Sequence, residues 1–209
     1  MKTLVIGAHG DVGRRLLPVL ASGDHTVRAM IRDPDQASEV EGPGVEPVVG
    51  DLEEDFAHAV RGCDAVVFTA GSGGSTGAGK AAMVDGLGAI RAIDVAAAHG
   101  ATRFVMVSAM GPGDPDRSES IRYYLVAKAI ADGYLERTDL NYTILRPGRL
   151  TDDEPTGKIE VGHDLGSGEV TRGDVARTIA LCLDTPNTIG KTFELLNGSH
   201  SIEDALDAL

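Results

Sequence analysis

The sequence predicts an α/β fold, a doubly wound parallel sheet in a single domain over residues 1–209, with about 147–209 forming a small C-terminal extension. Three observations predict it. Short β runs alternate with helical apolar stripes along most of the chain. The run from Ala65 to Thr69 is apolar almost throughout, as a strand buried on both faces requires. A glycine-rich turn joins the first strand to the first helix.

The elements follow in order. Thr3–Gly7 is a short β run ending in glycine, and Asp11–Leu20 carries Val12, Leu16, Val19 and Leu20 at helical spacing. Thr26–Ile31 and Val45–Val49 read as the second and third strands, with a helix over Asp51–Arg61. Ala65–Thr69 is the fourth strand, Met83–Ala98 an Ala-rich helix, Arg103–Val107 the fifth strand, Ile121–Arg137 a helix and Asn141–Leu145 the sixth strand. The last 63 residues are less regular. Thr151–Gly168 reads as loop with one short strand, Lys158–Val161; Asp174–Cys182 as helix; Thr192–Leu196 as strand; Ile202–Leu209 as helix.

Composition excludes several classes. Apolar residues are 42% and charged residues 24%, which fits a globular chain. No apolar run reaches the ~18–20 residues of a membrane span. Met1-Lys2-Thr3 runs straight into Leu4-Val5-Ile6-Gly7, too short for a signal-peptide core, so a cytoplasmic location is expected. Cys63 and Cys182 are far apart, which excludes a disulfide framework. The net charge of −13 makes nucleic acid and anionic membranes poor partners. Twenty Asp and twelve Glu against fourteen Arg and five Lys point to adaptation to high salt. The six histidines lack paired metal spacing, so no metal is expected.

Gly7-Ala8-His9-Gly10-Asp11-Val12-Gly13 sits between the first strand and the first helix with the spacing G-x-x-G-x-x-G. A dinucleotide pyrophosphate approaches the backbone at a helix N-terminus, where free N–H groups and the helix dipole favour negative charge and side chains would block it. Gly74-Ser-Thr-Gly-Ala-Gly79-Lys80 imitates a nucleoside-triphosphate loop, but Ala81 replaces the hydroxyl that would hold Mg²⁺. Gly71–Gly79 reads instead as a lid loop over a cofactor.

With this motif the chain resembles the short-chain dehydrogenase/reductase superfamily, and within it the small atypical NAD(P)-binding members related to epimerases/dehydratases and to flavin/biliverdin reductases. The resemblance also rests on Asp51-Leu52, Thr69-Ala70-Gly71, Tyr124-Leu-Val-Ala-Lys128 and Leu145-Arg146-Pro147-Gly148. It implies a Rossmann fold with strand order 3-2-1-4-5-6. It also implies cofactor contacts from Gly7, His9, Gly10, Asp11, Val12, Gly13, Asp51, Leu52, Ala70, Gly71, Lys128, Pro147 and Gly148. Asp51 and Glu54 also have the spacing of a helix N-cap and its N3 partner.

Arg32 stands 19 positions after Gly13, where an NAD-binding fold usually carries an acid for the ribose 2′-hydroxyl. Arginine grips a 2′-phosphate bidentately, so NADP is favoured, with NAD the alternative. Asp11 counts against NADP. Tyr124 and Lys128 lie one helical turn apart and share a face. In the family such a lysine holds the nicotinamide ribose and lowers the tyrosine pKa, and the tyrosine passes a proton to or from the substrate. Ser108 is the candidate third member, although Ala109 replaces the second of the usual hydroxyl pair. Arg149 and Arg172 are candidates for an acidic substrate group, and Asp174 reads as a helix cap.

The short extension suits a small carbonyl, quinone or flavin-like substrate better than a nucleotide sugar. The expected activity is therefore NADP-dependent oxidoreduction of such a small molecule. A sugar epimerase/dehydratase and a non-catalytic NADP(H) sensor resembling the NmrA-like regulators are the alternatives.

Overall fold

The computed structural model describes residues 1–73, 76–112, 114 and 119–209. Six strands form a parallel sheet: β1 (Lys2–Ile6), β2 (Thr26–Ile31), β3 (Val45–Val49), β4 (Ala65–Phe68), β5 (Arg103–Val107) and β6 (Asn141–Pro147), in the order 3-2-1-4-5-6. The extension continues the sheet. β10 (Lys191–Asn197) pairs parallel with β6, β8 (Lys158–Gly162) pairs antiparallel with β10, and β11 (His200–Ser201) closes the edge. β7 (Arg149–Thr151) and β9 (Glu169–Thr171) form a separate parallel pair. This is the parallel sheet that the alternation predicts, in the Rossmann-like strand order that the family resemblance implies.

Alternation along the strands decides the two faces. Val5, Val67 and Val105 point to a layer built by helices α1 (Asp11–Ala21) and α7 (Arg172–Asp184), with Leu16, Leu20, Val175 and Ile179. Leu4, Ile6, Phe68 and Phe104 point to the opposite layer, with Ile93, Ala96, Ala131 and Leu135. That layer contains α5 (Ala89–Ala98) and α6 (Arg122–Leu135). Each such Leu, Ile or Phe, once fully buried, contributes about 1.5–3 kcal/mol. Arg103 ties the extension to the sheet. Its guanidinium donates to the Asn141 carbonyl, Thr143 Oγ1, the Cys182 carbonyl and Thr188 Oγ1. Both cysteines are free, and burial pushes Cys63 up and Cys182 to about 12, which suppresses their thiolates.

Several boundaries differ from the sequence reading. Of Asp51–Arg61 only Ala57–Val60 (α3) is helical. Asp51 instead closes a turn, Oδ1 accepting from Glu53 N at 2.9 Å, so its helix-cap reading is corrected. The helix placed from Met83 starts at Ala78. Ala78–Lys80 (α4) runs into a π-helical segment, Ala81–Gly88, and then into α5. The sixth strand continues to Pro147, which makes Pro147 a strand residue rather than part of a loop. Asp174 is not the cap of α7: Thr171 is, its hydroxyl accepting from Asp174 N. The fully buried Asp174 carboxylate instead accepts from Thr156 N and Gly157 N at 2.8 Å each and fixes the loop before β8. Among the described residues no helix is long and apolar enough to cross a membrane.

Candidate functional site

The carboxyl ends of β1, β4, β5 and β6 meet along one edge of the sheet, where ligands bind in such folds. The glycine turn lies at its centre. Gly7 has φ +86°, a conformation that disfavours side chains, and a Cβ there would lie 2.6 Å from Ala70 N. A Cβ at Gly13 would collide with the Gly7 carbonyl and with Ala8. These two glycines therefore let β1, α1 and the segment after β4 approach closely. Gly10 is different: it is exposed and occupies the N-cap of α1 with no side-chain cap. The first turn of α1 is thus left open for an anion, as a dinucleotide pyrophosphate requires. Thr69 Oγ1 donates to the Ile6 carbonyl at 3.0 Å and holds the segment leading to Ala70 and Gly71 beside the glycine turn.

Charged groups flank this turn. Asp11 pairs with Arg14 and Arg172, each at 3.6 Å, so its charge is offset. Glu39 lies 3.0 Å from His9 Nε2 and 3.1 Å from Arg14 Nη1. Val12 is buried among the core residues under α1. Arg32 is exposed at the end of β2 and makes no ion pair with a described residue. Asp51 is half-buried after β3. Leu52 is buried beneath Gly88, where a Cβ would come 3.2 Å from Leu52 Cβ, and its carbonyl accepts from Arg91.

The chemistry-bearing cluster stands on α6. Tyr124, Lys128 and Asp132 follow at four-residue spacing and share one face. Lys128 is 2% exposed. Its Nζ donates to the Val107 carbonyl at 3.2 Å and pairs with Asp85 Oδ1 at 3.2 Å. The ammonium stands 5.5 Å from the Tyr124 ring centre and 5.9 Å from that of Phe68. Ser108 is buried at the end of β5, and its hydroxyl donates to Asp132 Oδ2 at 3.0 Å. Arg146, from β6, places Nε 3.0 Å and Nη2 2.9 Å from the same oxygen.

Burial pushes the Tyr124 phenol above its ordinary value; Lys128 opposes this, while Asp85 and Asp132 add to it. Burial also raises the Asp132 carboxyl, against Arg146 and Ser108. The structure therefore brings Tyr124, Lys128 and Ser108 to one sheet edge, but the net effect on the tyrosine is upward, not the lowering that the family resemblance implies.

Asp85 and Asp132 were missed in the sequence. A signal existed for Asp132, which continues the Tyr124–Lys128 face by one more turn. The substrate arginines are already engaged. Arg149 pairs with Glu169, and Arg172 with Asp11 and Asp152. Lys80, of the rejected triphosphate motif, pairs with Glu53. Gly74 and Ser75, within that motif and the proposed lid, lie outside the described residues. Gly148 follows β6 where a Cβ would collide with Leu196 and lie 2.5 Å from the Gly168 carbonyl. Only glycine fits there without displacing the extension.

Comparison with known proteins supports the fold and the NAD(P)H-binding family. The NAD(P)H-binding family model matches residues 7–186. A Bacillus subtilis protein named an uncharacterized sugar epimerase, YhfK, is 44% identical over 214 residues, covering 100% of both chains. A solved Bacillus halodurans protein, ascribed to the NAD-dependent epimerases/dehydratases, is 46% identical with a TM-score of 0.96, covering 100% of both chains. ChuY, an anaerobillin reductase of Escherichia coli, is 28% identical with a TM-score of 0.83, covering 96% of this chain and 99% of its own. The open glycine turn, the strand order and these matches make the chain a member of the NAD(P)H-binding family, within the atypical short-chain dehydrogenase/reductase-like superfamily.

Proposed function

We propose that this protein is an NADP-dependent oxidoreductase acting on a small carbonyl, quinone or flavin-like substrate, with residues 1–209 working as one unit. The observation that carries the reading is the buried Lys128 ammonium beside the Tyr124 ring, with Ser108 adjoining at the end of β5. The open N-terminus of α1 at Gly10 fits the pyrophosphate, with Ala70 packed against Gly7 beside it. Exposed Arg32 and the arginines offsetting Asp11 support a 2′-phosphate.

A bound reduced nicotinamide would supply the hydride. The residues of the chain manage the proton and the geometry. Tyr124, held protonated by burial, gives its phenolic proton to the substrate oxygen and recovers one from solvent. Lys128 donates to the Val107 carbonyl and pairs by charge with Asp85, and its remaining N–H groups would serve a ribose hydroxyl. Ser108 donates its hydroxyl hydrogen bond to Asp132, so towards a substrate it offers only an accepting oxygen. The reductase name of the Escherichia coli neighbour supports this direction of reaction. The name of the Bacillus subtilis relative favours the second reading, a sugar epimerase.

A panel of small carbonyls, quinones and flavins, run with NADPH and with NADH and followed by nicotinamide absorbance, tests the proposal. Slow consumption of NADPH, faster than of NADH, is expected. A protein that binds NADPH, reduces nothing in the panel and tolerates Tyr124→Phe would overturn it in favour of a sensor. Interconversion of a nucleotide sugar without net cofactor consumption would establish the epimerase.

A further inference from the structure

We infer that Asp85 is a positioning residue of the candidate site: its two carboxylate oxygens join the Lys128 ammonium to the loop that follows β4. The inference rests on the reading of Tyr124 and Lys128 as the proton-donor pair.

Asp85 lies in the π-helical segment Ala81–Gly88 and is 0% exposed. Such wide turns are uncommon and recur at functional sites. The two oxygens are divided between two tasks. Oδ1 stands 3.2 Å from Lys128 Nζ, and Oδ2 accepts from the Ser72 backbone N at 3.1 Å. Ser72 directly follows Ala70 and Gly71, the segment packed on the glycine turn. One carboxylate therefore links the cofactor side of the crevice to the group that would bind the nicotinamide ribose.

A purely structural role explains this poorly. A buried ion pair is often no more stabilising than an apolar pair of the same volume. Here the pair stands at the carboxyl ends of β4 and β5, with the Tyr124 ring over the same ammonium. Among the described residues the ionisable groups around Lys128 are few. Asp85 approaches from the π-helical segment, and Tyr124 and Asp132 lie on α6 itself. Arg146 acts from β6 through Asp132, while β5 and β4 offer the Val107 carbonyl and the Phe68 ring. Without Asp85 the ammonium would be opposed only by burial and Asp132, and its pull towards the phenolate would be stronger. With Asp85 the two charges counter each other, and Tyr124 keeps its proton, as a proton donor must.

The test titrates tyrosinate absorbance against pH in the protein without cofactor or substrate. The chain has four tyrosines and no tryptophan, and Tyr124→Phe identifies the Tyr124 component. Asp85→Asn removes the charge but keeps an acceptor for Ser72 N. It should lower the Tyr124 midpoint by about one pH unit, the lower end for one nearby charge. It should weaken NADPH binding less than Asp85→Ala, which loses the acceptor as well. A purely structural role would leave the midpoint unmoved. An unchanged or raised midpoint in Asp85→Asn overturns the inference.

If Asp85→Asn does not fold, amide hydrogen exchange of the unmodified protein decides. The Ser72 amide should be protected relative to Gly71 and Gly73, and an unprotected Ser72 amide overturns the inference. A midpoint shift in a protein that reduces nothing in the panel would retain Asp85 in this role and overturn only the oxidoreductase reading.

Discussion

Arg146 grips Asp132 with two nitrogens on one oxygen, Nε at 3.0 Å and Nη2 at 2.9 Å from Oδ2. Asp132 is 1% exposed, so the arginine is what makes its charge tolerable there. Removing one partner of a fully buried pair costs about 3–5 kcal/mol, but Arg146 is 27% exposed and water offsets part of the loss. Arg146→Ala should therefore lose about 2–3 kcal/mol of stability. The deficit should depend on pH. Burial raises the Asp132 carboxyl, so this group binds its proton more tightly in the folded state than in the unfolded chain. Its contribution to stability is present below the ordinary carboxylate pKa and is lost as pH rises through the raised folded value. Arg146→Ala raises the carboxyl further, so the difference in melting temperature should widen from acid towards neutral pH. A difference independent of pH would contradict this.

Arg32 tests the choice of cofactor. It is exposed at the end of β2 with no ion-pair partner among the described residues. Arg32→Ala should weaken NADPH by about 1.5–3 kcal/mol, the range of a charge-assisted hydrogen bond, and leave NADH nearly unchanged. Titration calorimetry of the unmodified protein should show tighter binding of NADPH, and equal affinities would defeat the assignment.

Tyr124→Phe removes the phenolic proton beside Lys128 and leaves the ring in place. For a carbonyl substrate, turnover should fall roughly 10²–10⁴-fold with cofactor affinity retained. For a flavin acceptor, protonation from solvent suffices and the change should matter little. Steady-state rates on both substrate classes separate these cases. Lys128→Ala is a poor control, because it leaves the fully buried Asp85 without its counter-ion.

Most of the sheet was legible because its signals are local. Apolar runs, the helical stripe of Leu16 and Leu20, and glycines at fixed spacing all lie within one window of sequence. The alternation of elements gave a parallel sheet with helices on both faces, and the strand order came from the family resemblance. The glycine turn was legible for the same reason, since Gly7, Gly10 and Gly13 have separate steric tasks along one short segment. The counter-charges were not. Asp85 is one acid in an Ala- and Gly-rich helix, and only the π-helical turn and the packing of α6 place it against Lys128. Asp132 and Ser108 are 24 residues apart, and their bond exists only once α6 lies across β5. Asp51 failed as a helix cap because the chain turns at Asp51–Glu54 and becomes helical only from Ala57.

The acid excess predicts a protein stabilised by salt. Net charge is −13, with 32 acidic against 19 basic residues, and the surface must carry most of that imbalance. Salt acts in two opposing ways. It weakens exposed ion pairs such as Arg14–Glu39 and Arg15–Asp152, each worth at most about 1 kcal/mol. It also screens the repulsion among the excess carboxylates, as the Debye length falls from about 10 Å at 0.1 M to about 3 Å at 1 M. Repulsion is summed over the whole surface, whereas each exposed pair contributes little, so screening of repulsion should win. The melting temperature should therefore rise between low and molar KCl, by roughly 2–4 °C for each kcal/mol gained in a chain of this size. Potassium chloride is the suitable salt because it is nearly neutral in its direct effect on apolar burial, unlike sulfate. A melting temperature that stays flat or falls across that range would show that local ion pairs outweigh the net charge, and would remove the case for adaptation to high salt.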